Sequence, residues 1–383
     1  MATASRGPNE ALIGVPGSRD LLGTPALVLD LDALEANIAS MAVYARAHAY
    51  ELRPVAKIHK SVEIARLQVA AGANGVACAT LAECEAMTDG GVAGCLLFTS
   101  VVSAPKLARL TALNERAEGL AVVADDPANL AQLAEVGRHS GRPLQVLVDV
   151  EVGGRRTGIA GEQRVVEFAK RVADTDGLTY AGIQAYVGDH QNTPDYDARR
   201  LRSHELLAPL VPLVARLKDE GVSPGIVSGG GTGTHDFDHE LGVLTEFQVG
   251  SYIFMDVNYR DVVLRRSDPH PFAAALWVRT TVISAAQPGF AMTDAGMKEL
   301  DAMLGLRYPA ILRGAPEGAT YSLAGDDLGR IELASAGGEM RVGDAVDVLP
   351  AHCYGTLSMY AHYHVVRGDV LLDIWPIAAR ANW

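Results

Sequence analysis

The chain has 383 residues, 49% of them hydrophobic and 21% charged, with a formal net charge of −13. That length exceeds one small core and implies two domains, or a barrel with an appended module. The acidic balance excludes bulk electrostatic capture of nucleic acid or anionic membrane, no apolar run reaches membrane-spanning length, and the first 20 residues lack the apolar segment of a secretion signal.

Residues 1–23 are punctuated by glycine and proline and read as an arm, expected to pack on the C-terminal domain. From residue 24 a unit repeats, a short apolar run followed by an amphipathic stretch. Strands are predicted at 26–30, 53–57, 75–79, 95–99, 119–123, 144–150, 178–186, 225–228 and 246–254. Helices are predicted at 31–49, 61–71, 81–90, 104–114, 127–140, 162–174 and 203–220. Continuous apolar strands alternating with helices mark a parallel sheet covered on both faces. Eight or nine of them in about 240 residues fit a closed (β/α)8 TIM-type barrel, placed at 24–270. Near Pro271 the pattern changes. Strand-like stretches at 273–284, around Ile331, and at 340–349, 362–366 and 370–374, with Gly-rich turns, predict a mostly β domain over 271–383. Cys78, Cys84, Cys95 and Cys353 show no paired metal-ligand spacing, which fits a reducing cytoplasm.

Lys57 carries the first chemistry. In Arg53-Pro54-Val55-Ala56-Lys57-Ile58-His59-Lys60, strand alternation puts Arg53, Val55, Lys57 and His59 on one face. A lysine at the C-terminal end of an early barrel strand is a candidate Schiff-base nucleophile, provided its site lowers its pKa. The ordinary alternative is a solvated surface lysine. Lys60 is the rival, but it lies past the predicted strand end, where solvent is expected. The second signal is Gly229-Gly230-Gly231-Thr232-Gly233-Thr234, directly after strand 225–228. Glycines let backbone N–H groups approach an anion and threonine hydroxyls add donors, although a tight strand-to-helix turn uses the same residues. Its place late in the barrel matches the usual phosphate position. Gly250-Ser251-Tyr252, at the end of the next predicted strand, adds donors. A lysine with two adjacent anion-accepting loops is what pyridoxal 5'-phosphate requires.

Further segments belong with these: Thr24-Pro25-Ala26-Leu27-Val28-Leu29-Asp30; residues 148–159 with Gly153, Arg156 and Gly158; Gln184-Ala185-Tyr186 with Gly188 and Gln191; Glu246, Gln248 and Phe254-Met255-Asp256 around Gly250-Ser251-Tyr252; and, in the C-terminal region, Asp294-Ala295-Gly296-Met297-Lys298, His352-Cys353, Val365-Val366-Arg367 and Trp375-Pro376-Ile377. Over nearly its whole length the chain resembles the D-threonine aldolase and D-serine dehydratase family, pyridoxal phosphate enzymes of fold type III with an alanine-racemase-like fold. The glycine-loop segments favour the aldolase branch. The resemblance implies a lyase that cleaves D-β-hydroxy-α-amino acids by a retro-aldol reaction, taking a small amino acid as substrate and working as a homodimer. It implies Lys57, His59 and His352 as catalytic residues. Arg156, Tyr186, Gly229, Gly230, Gly231, Thr232, Gly250, Ser251 and Tyr252 would hold the cofactor with Lys57.

The departures from the family pattern bear on mechanism. Val55 and Val187 stand where the family usually has histidine, and its acid-acid-histidine-glycine stretch reads Asp326-Asp327-Leu328-Gly329. The family binds a divalent metal through a histidine and an aspartate or cysteine two residues on; here the pair is His352 and Tyr354. A neutral phenol is a poor ligand for a hard divalent ion. Weak or absent metal dependence is therefore expected, and metal ligands are left unassigned. His190, His362 and His364 are candidates to compensate, against the ordinary reading of exposed histidines. Two alternatives stay open: a metal-independent relative that racemises, eliminates or breaks another C–C bond on an unusual amino acid, and a non-catalytic pyridoxal phosphate carrier.

Overall fold

Eight of the predicted apolar runs form one all-parallel sheet in the computed structural model, which describes residues 6–302, 307–333 and 338–380. They are β2 (Glu51–Leu52), β3 (Ala77–Cys78), β4 (Leu96–Leu97), β5 (Ala121–Ala124), β6 (Leu144–Asp149), β7 (Leu178–Ala185), β8 (Ile226–Gly229) and β9 (Glu246–Phe247). Their spatial order is β2-β9-β8-β7-β6-β5-β4-β3. Just beyond β2, Val55 takes its N–H bond to Val249 on one side and bridges Ala77 in parallel on the other, while the Ala77 N–H reaches the Pro54 carbonyl at 2.8 Å. These contacts close the ring, so the expected (β/α)8 barrel is present.

Between the strands run α1 (Leu31–Ala47), α2 (Val62–Ala70), α3 (Leu81–Asp89), α4 (Ala104–Arg116), α5 (Pro127–His139), α6 (Glu162–Ala173), α7 (Tyr196–Leu207) and α8 (Leu210–Asp219). Their starts are written in the sequence. Ser61, Asp126 and Asp195 cap α2, α5 and α7 through their side chains, and Thr80 and Glu83 form a reciprocal capping box on α3.

The barrel interior is divided. One side is apolar, built from Val55, Ala77, Leu96, Phe98, Ala121, Val123 and Leu147. The other is a buried hydrogen-bonded chain. Arg53 Nε donates to Glu246 (2.8 Å), Ser228 Oγ to Glu246 (2.7 Å), Gln248 Nε2 to Ser228 (3.0 Å) and to Gln184 (2.9 Å), and Gln184 Nε2 to Asp149 (3.1 Å). A TIM-type interior is ordinarily filled by branched apolar residues, and this barrel departs from that on its polar side.

The fold separates into two compact units. The barrel unit comprises Ala39–Gly250 with Val262–Pro271; the other comprises the described parts of Met1–Ile38, Ser251–Asp261 and Phe272–Ala381. The second unit is built on a nine-stranded sheet of β1 (Ala26–Asp30), β10 (Leu276–Ser284), β11 (Phe290–Thr293), β12 (Ala310–Arg313), β13 (Thr320–Leu323), β14 (Gly329–Glu332), β15 (Ala345–Leu349), β16 (His362–Arg367) and β17 (Val370–Pro376). It also holds the short helices α9 (Val257–Arg260) and α10 (Cys353–Ser358). The N-terminal segment lies on this sheet: the Gly14 N–H reaches Leu371 O at 2.8 Å, the Leu371 N–H reaches Ser18 Oγ at 2.7 Å, and Leu12 and Ile13 pack against Leu22, Trp277 and Leu371.

Four sequence expectations need correction. Residues 26–30 do not open the barrel; β1 runs antiparallel to β10 and parallel to β16 in the second sheet. Leu27, Val28 and Leu29 are fully buried, and burial on both faces gives the same apolar run in either place. Strand 53–57 is shorter and earlier, and Lys57 sits in a 3-10 turn, Ala56–Ile58. Strand 246–254 ends at Phe247, and Ser251–Ile253 is again a 3-10 turn. The helix expected at 203–220 is two helices that part at Ala208–Pro209.

Candidate active site

The turn after β2 sets the environment of Lys57. Its ammonium is half-buried and lies 5.7 Å from the Phe98 ring. Burial lowers its pKa and the Arg156 charge lowers it further, while Glu83 pulls the other way. This is the environment an amine nucleophile needs. Lys60 is also half-buried rather than solvated, and its backbone is left-handed at φ +50°. Glu83, at the first turn of α3, accepts the N–H groups of Ala79 (2.7 Å) and Thr80 (3.3 Å), and burial raises its pKa. The sequence reading missed it, although Thr80-Leu81-Ala82-Glu83 is a legible capping box.

His59 is fully buried. Its Nδ1 accepts the Ser61 N–H at 3.0 Å, and Gln68 is a further hydrogen-bond partner. Burial pushes its pKa down to about 3, so the ring is neutral at physiological pH. Arg156 is exposed on the loop after β6, with its guanidinium 5.1 Å from the half-buried Tyr186 ring. That loop is tied down by carboxylates: Asp149 takes the Thr157 hydroxyl at 2.5 Å, Asp125 the Gly158 N–H at 2.9 Å, and Glu151 the Arg156 N–H at 3.3 Å.

The glycine loop follows β8. Gly230 adopts φ +65°, and a Cβ there would lie 2.8 Å from the Phe247 ring. A Cβ on Gly233 would fall 1.6 Å from the Gln191 carbonyl oxygen, so the backbone itself is packed against its neighbours. Thr232 Oγ1 accepts the Gly250 N–H at 3.1 Å, joining the two loops singled out in the sequence. Gly229, Gly230, Gly231, Thr232 and Gly250 therefore lie together in the barrel unit. Ser251 and Tyr252, both buried, belong to the other unit, where Tyr252 meets Phe272 edge-on at 5.6 Å.

Comparison with known proteins bears on what this barrel carries. Residues 29–258 match the family model described as alanine racemase, N-terminal domain, and residues 275–366 match the putative serine dehydratase domain. The chain belongs to the alanine racemase N-terminal domain family. Within that family it is 35% identical over 363 residues to the 3-hydroxy-D-aspartate aldolase of Paracoccus denitrificans (strain Pd 1222), covering 94% of this chain and 92% of the relative. It is 34% identical over 373 residues to the D-threonine aldolase of an Arthrobacter species, covering 97% and 96%. The crystal structure of D-threonine aldolase from Filomicrobium marinum superposes with a TM-score of 0.88 at 34% identity, covering 94% of this chain and 96% of that one. The resemblance read from the motifs is thereby established, and with it an aldolase-like lyase of the family that uses pyridoxal phosphate.

His352 and Tyr354 are in the β-rich unit, rings 4.7 Å apart, with His352 Nδ1 3.5 Å from Asp301. Among the described residues no three His, Cys, Asp or Glu side chains gather as a metal-holding group. His362 is half-buried on β16, and His364 bonds Asn9 (2.9 Å) and Leu27 O (3.1 Å), a structural engagement. His190 is buried in the barrel unit, with Nδ1 3.1 Å from Asp189.

Asp238 is a buried carboxylate beside the glycine loop that the sequence did not flag. Burial pushes its pKa up to about 7 against the opposing bonds from Ser203 and Thr234 and the charge of Arg199; Glu240 adds a small upward push. A folded-state pKa above the unfolded value of about 3.9 means the folded protein binds the extra proton between the two. Its contribution to stability is then full at low pH and is lost as pH rises through about 7. Asp238→Asn, which is neutral at every pH, is expected to melt close to the parent at pH 4 and several degrees above it at pH 8. Melting curves across that range check the sign; a gap that narrows with rising pH would contradict it.

Proposed function

We propose that this protein cleaves D-β-hydroxy-α-amino acids to glycine and an aldehyde, with pyridoxal phosphate held by the barrel unit. The observation that carries the reading is the Lys57 amine, half-buried with a lowered pKa, in the same unit as a glycine loop tied to Gly250 through Thr232. The residues fit the cofactor: an amine whose charged form is disfavoured by burial and by Arg156, an exposed arginine over a tyrosine ring, and backbone loops suited to a phosphate. When bound, pyridoxal phosphate supplies an electron sink for the pair released as Cα–Cβ breaks. Lys57 provides the attachment point and can carry a proton to and from its Nζ. Glu83 balances cationic charge at Lys57 and Lys60. Arg156 and Tyr186 complete the proposed cofactor set of the barrel unit, and the roles of Ser251 and Tyr252 are carried over from the family resemblance alone. The role of His352 and a homodimeric state are carried over from the family resemblance, and a cytoplasmic location from the unpaired spacing of the four cysteines. His59, neutral and enclosed, is proposed to support the Lys57 turn.

A divalent metal does not fit the donors around His352. Beside that imidazole lie the Asp301 carboxylate, 3.5 Å from Nδ1, and, at the second family position, the Tyr354 phenol; phenols bind hard ions poorly, and among the described residues no third His, Cys, Asp or Glu joins the pair. The purified protein, loaded with pyridoxal phosphate, is expected to release aldehyde from D- but not L-β-hydroxy amino acids, with less than about a threefold change on adding chelator, against the 10- to 100-fold or larger loss typical of damaged metal sites. Tightly held stoichiometric metal, with activity lost to chelator and restored by a divalent ion, would refute the metal claim alone. A change in amino acid without aldehyde release would move the assignment to racemisation or elimination.

A further inference from the structure

Behind the glycine loop lies a cluster that the reaction does not use. His235 follows the loop directly and is fully buried. Its Nδ1 lies 2.7 Å from the Thr232 carbonyl oxygen, and its Nε2 lies 2.9 Å from Arg265 Nε. These two contacts decide the tautomer. A guanidinium N–H only donates, so Nε2 accepts; a carbonyl only accepts, so Nδ1 carries the hydrogen and donates. A doubly protonated ring would set two N–H groups against each other. Burial, with the Arg265 charge, pushes the His235 pKa down to about 3, in keeping with the neutral ring.

Arg265 is itself held. Its guanidinium lies 4.2 Å from the Tyr44 ring centroid, and Nη1 donates to Ser40 at 3.2 Å. The Tyr44 and Tyr196 hydroxyls donate to Asp236 at 2.5 and 2.6 Å. Burial opposes ionisation of Asp236, but these bonds outweigh it and keep the carboxylate charged next to Arg265. A cation donating to Nε2 polarises the ring and strengthens the Nδ1–H bond to Thr232.

The next carbonyl of the loop is committed in the same way. Arg199 Nε donates to Gly233 O at 2.7 Å, and the Gly233 N–H goes to Gln191 Oε1 at 2.9 Å. Two consecutive carbonyls therefore end on buried donors, and neither can turn its negative end toward an anion. A peptide plane is rigid, so fixing the Thr232 carbonyl also fixes the residue whose hydroxyl takes the Gly250 N–H.

We propose that His235 is a positioning residue for phosphate binding: by taking the Thr232 carbonyl it holds the 229–234 loop, and its spacing to Gly250, in the anion-accepting form. The proposal rests on the pyridoxal phosphate reading above. The experiment titrates the full-length apoprotein with pyridoxal phosphate and with pyridoxal, which lacks the phosphate, and follows intrinsic fluorescence.

His235→Leu removes the donor and is expected to weaken pyridoxal phosphate binding by about 10- to 100-fold, the loss set by one orphaned buried acceptor, while pyridoxal changes by less than about threefold. His235→Asn places an amide N–H near the Nδ1 position and is expected to recover most of that affinity. Should His235→Leu fail to fold by circular dichroism, Arg265→Gln, which removes the tautomer lock, is expected to give the same phosphate-selective loss. Equal weakening of both ligands, or unchanged phosphate affinity in folded variants, overturns the proposal. Failure of the parent apoprotein to bind pyridoxal phosphate at all would instead overturn the functional reading.

Discussion

Lys57→Ala is expected to lower turnover by roughly three orders of magnitude or more, because one substitution removes both the covalent attachment point and a proton carrier. The environment explains why this lysine and not its neighbour. Burial beside Phe98 disfavours the ammonium, and Arg156 disfavours it further. Lys57→Arg is expected to be equally inactive, since a guanidinium stays charged and is no nucleophile. Treating the cofactor-loaded parent with borohydride before peptide mapping should tag Lys57. A tag on Lys60, or substantial turnover by Lys57→Ala, would remove the assignment. Since both lysines are half-buried, mapping rather than accessibility is the deciding measurement.

Much of the barrel was legible because parallel strands covered on both faces read as short continuous apolar runs between helix patterns with clear caps. The same signal misplaced β1, whose residues are as buried in the second sheet as they would be in a barrel. The strands β11, β12 and β13 were missed. Each has four residues, and their mix of buried and half-exposed positions lacks clean alternation. In the candidate site, glycine content singled out the 229–234 loop, and Lys57 was singled out on a strand-end position where the structure has a 3-10 turn. The supports were hidden for a geometric reason. His235 and Arg265 are 30 residues apart, and Gln184 meets Gln248 across 64; only tertiary packing brings each pair together, through loops in the first case and barrel strands in the second. The pairing of Gln184 with Ser228, and of Ser228 with Glu246, aligns the polar half of the interior, and no local pattern encodes that alignment.

Glu246→Ala is expected to destabilise the protein by about 3–5 kcal/mol, the range for removing one partner of a buried ion pair. The pair is enclosed: the Arg53 and Glu246 side chains are 9% and 3% exposed, with Arg53 Nη2 2.8 Å from the carboxylate. Arg53 also donates to the Asn74 and Gly94 carbonyls, but neutral acceptors do not balance a buried cation. Ser228 loses its acceptor in the same step. The effect should reach Lys57, because Arg53 lies on the segment whose end, at Val55, closes the barrel between Val249 and Ala77. Cofactor retention should therefore fall along with stability. The double variant Arg53→Met, Glu246→Leu is expected to regain a large part of the loss, since apolar side chains of similar volume leave no charge unpaired. Denaturant melts of the two single variants and the double form a complete cycle, and a strong coupling energy is the expected outcome. If the double variant loses as much as the two singles combined, the cost lies in packing or backbone shift, and the ion pair is not what holds this side of the barrel.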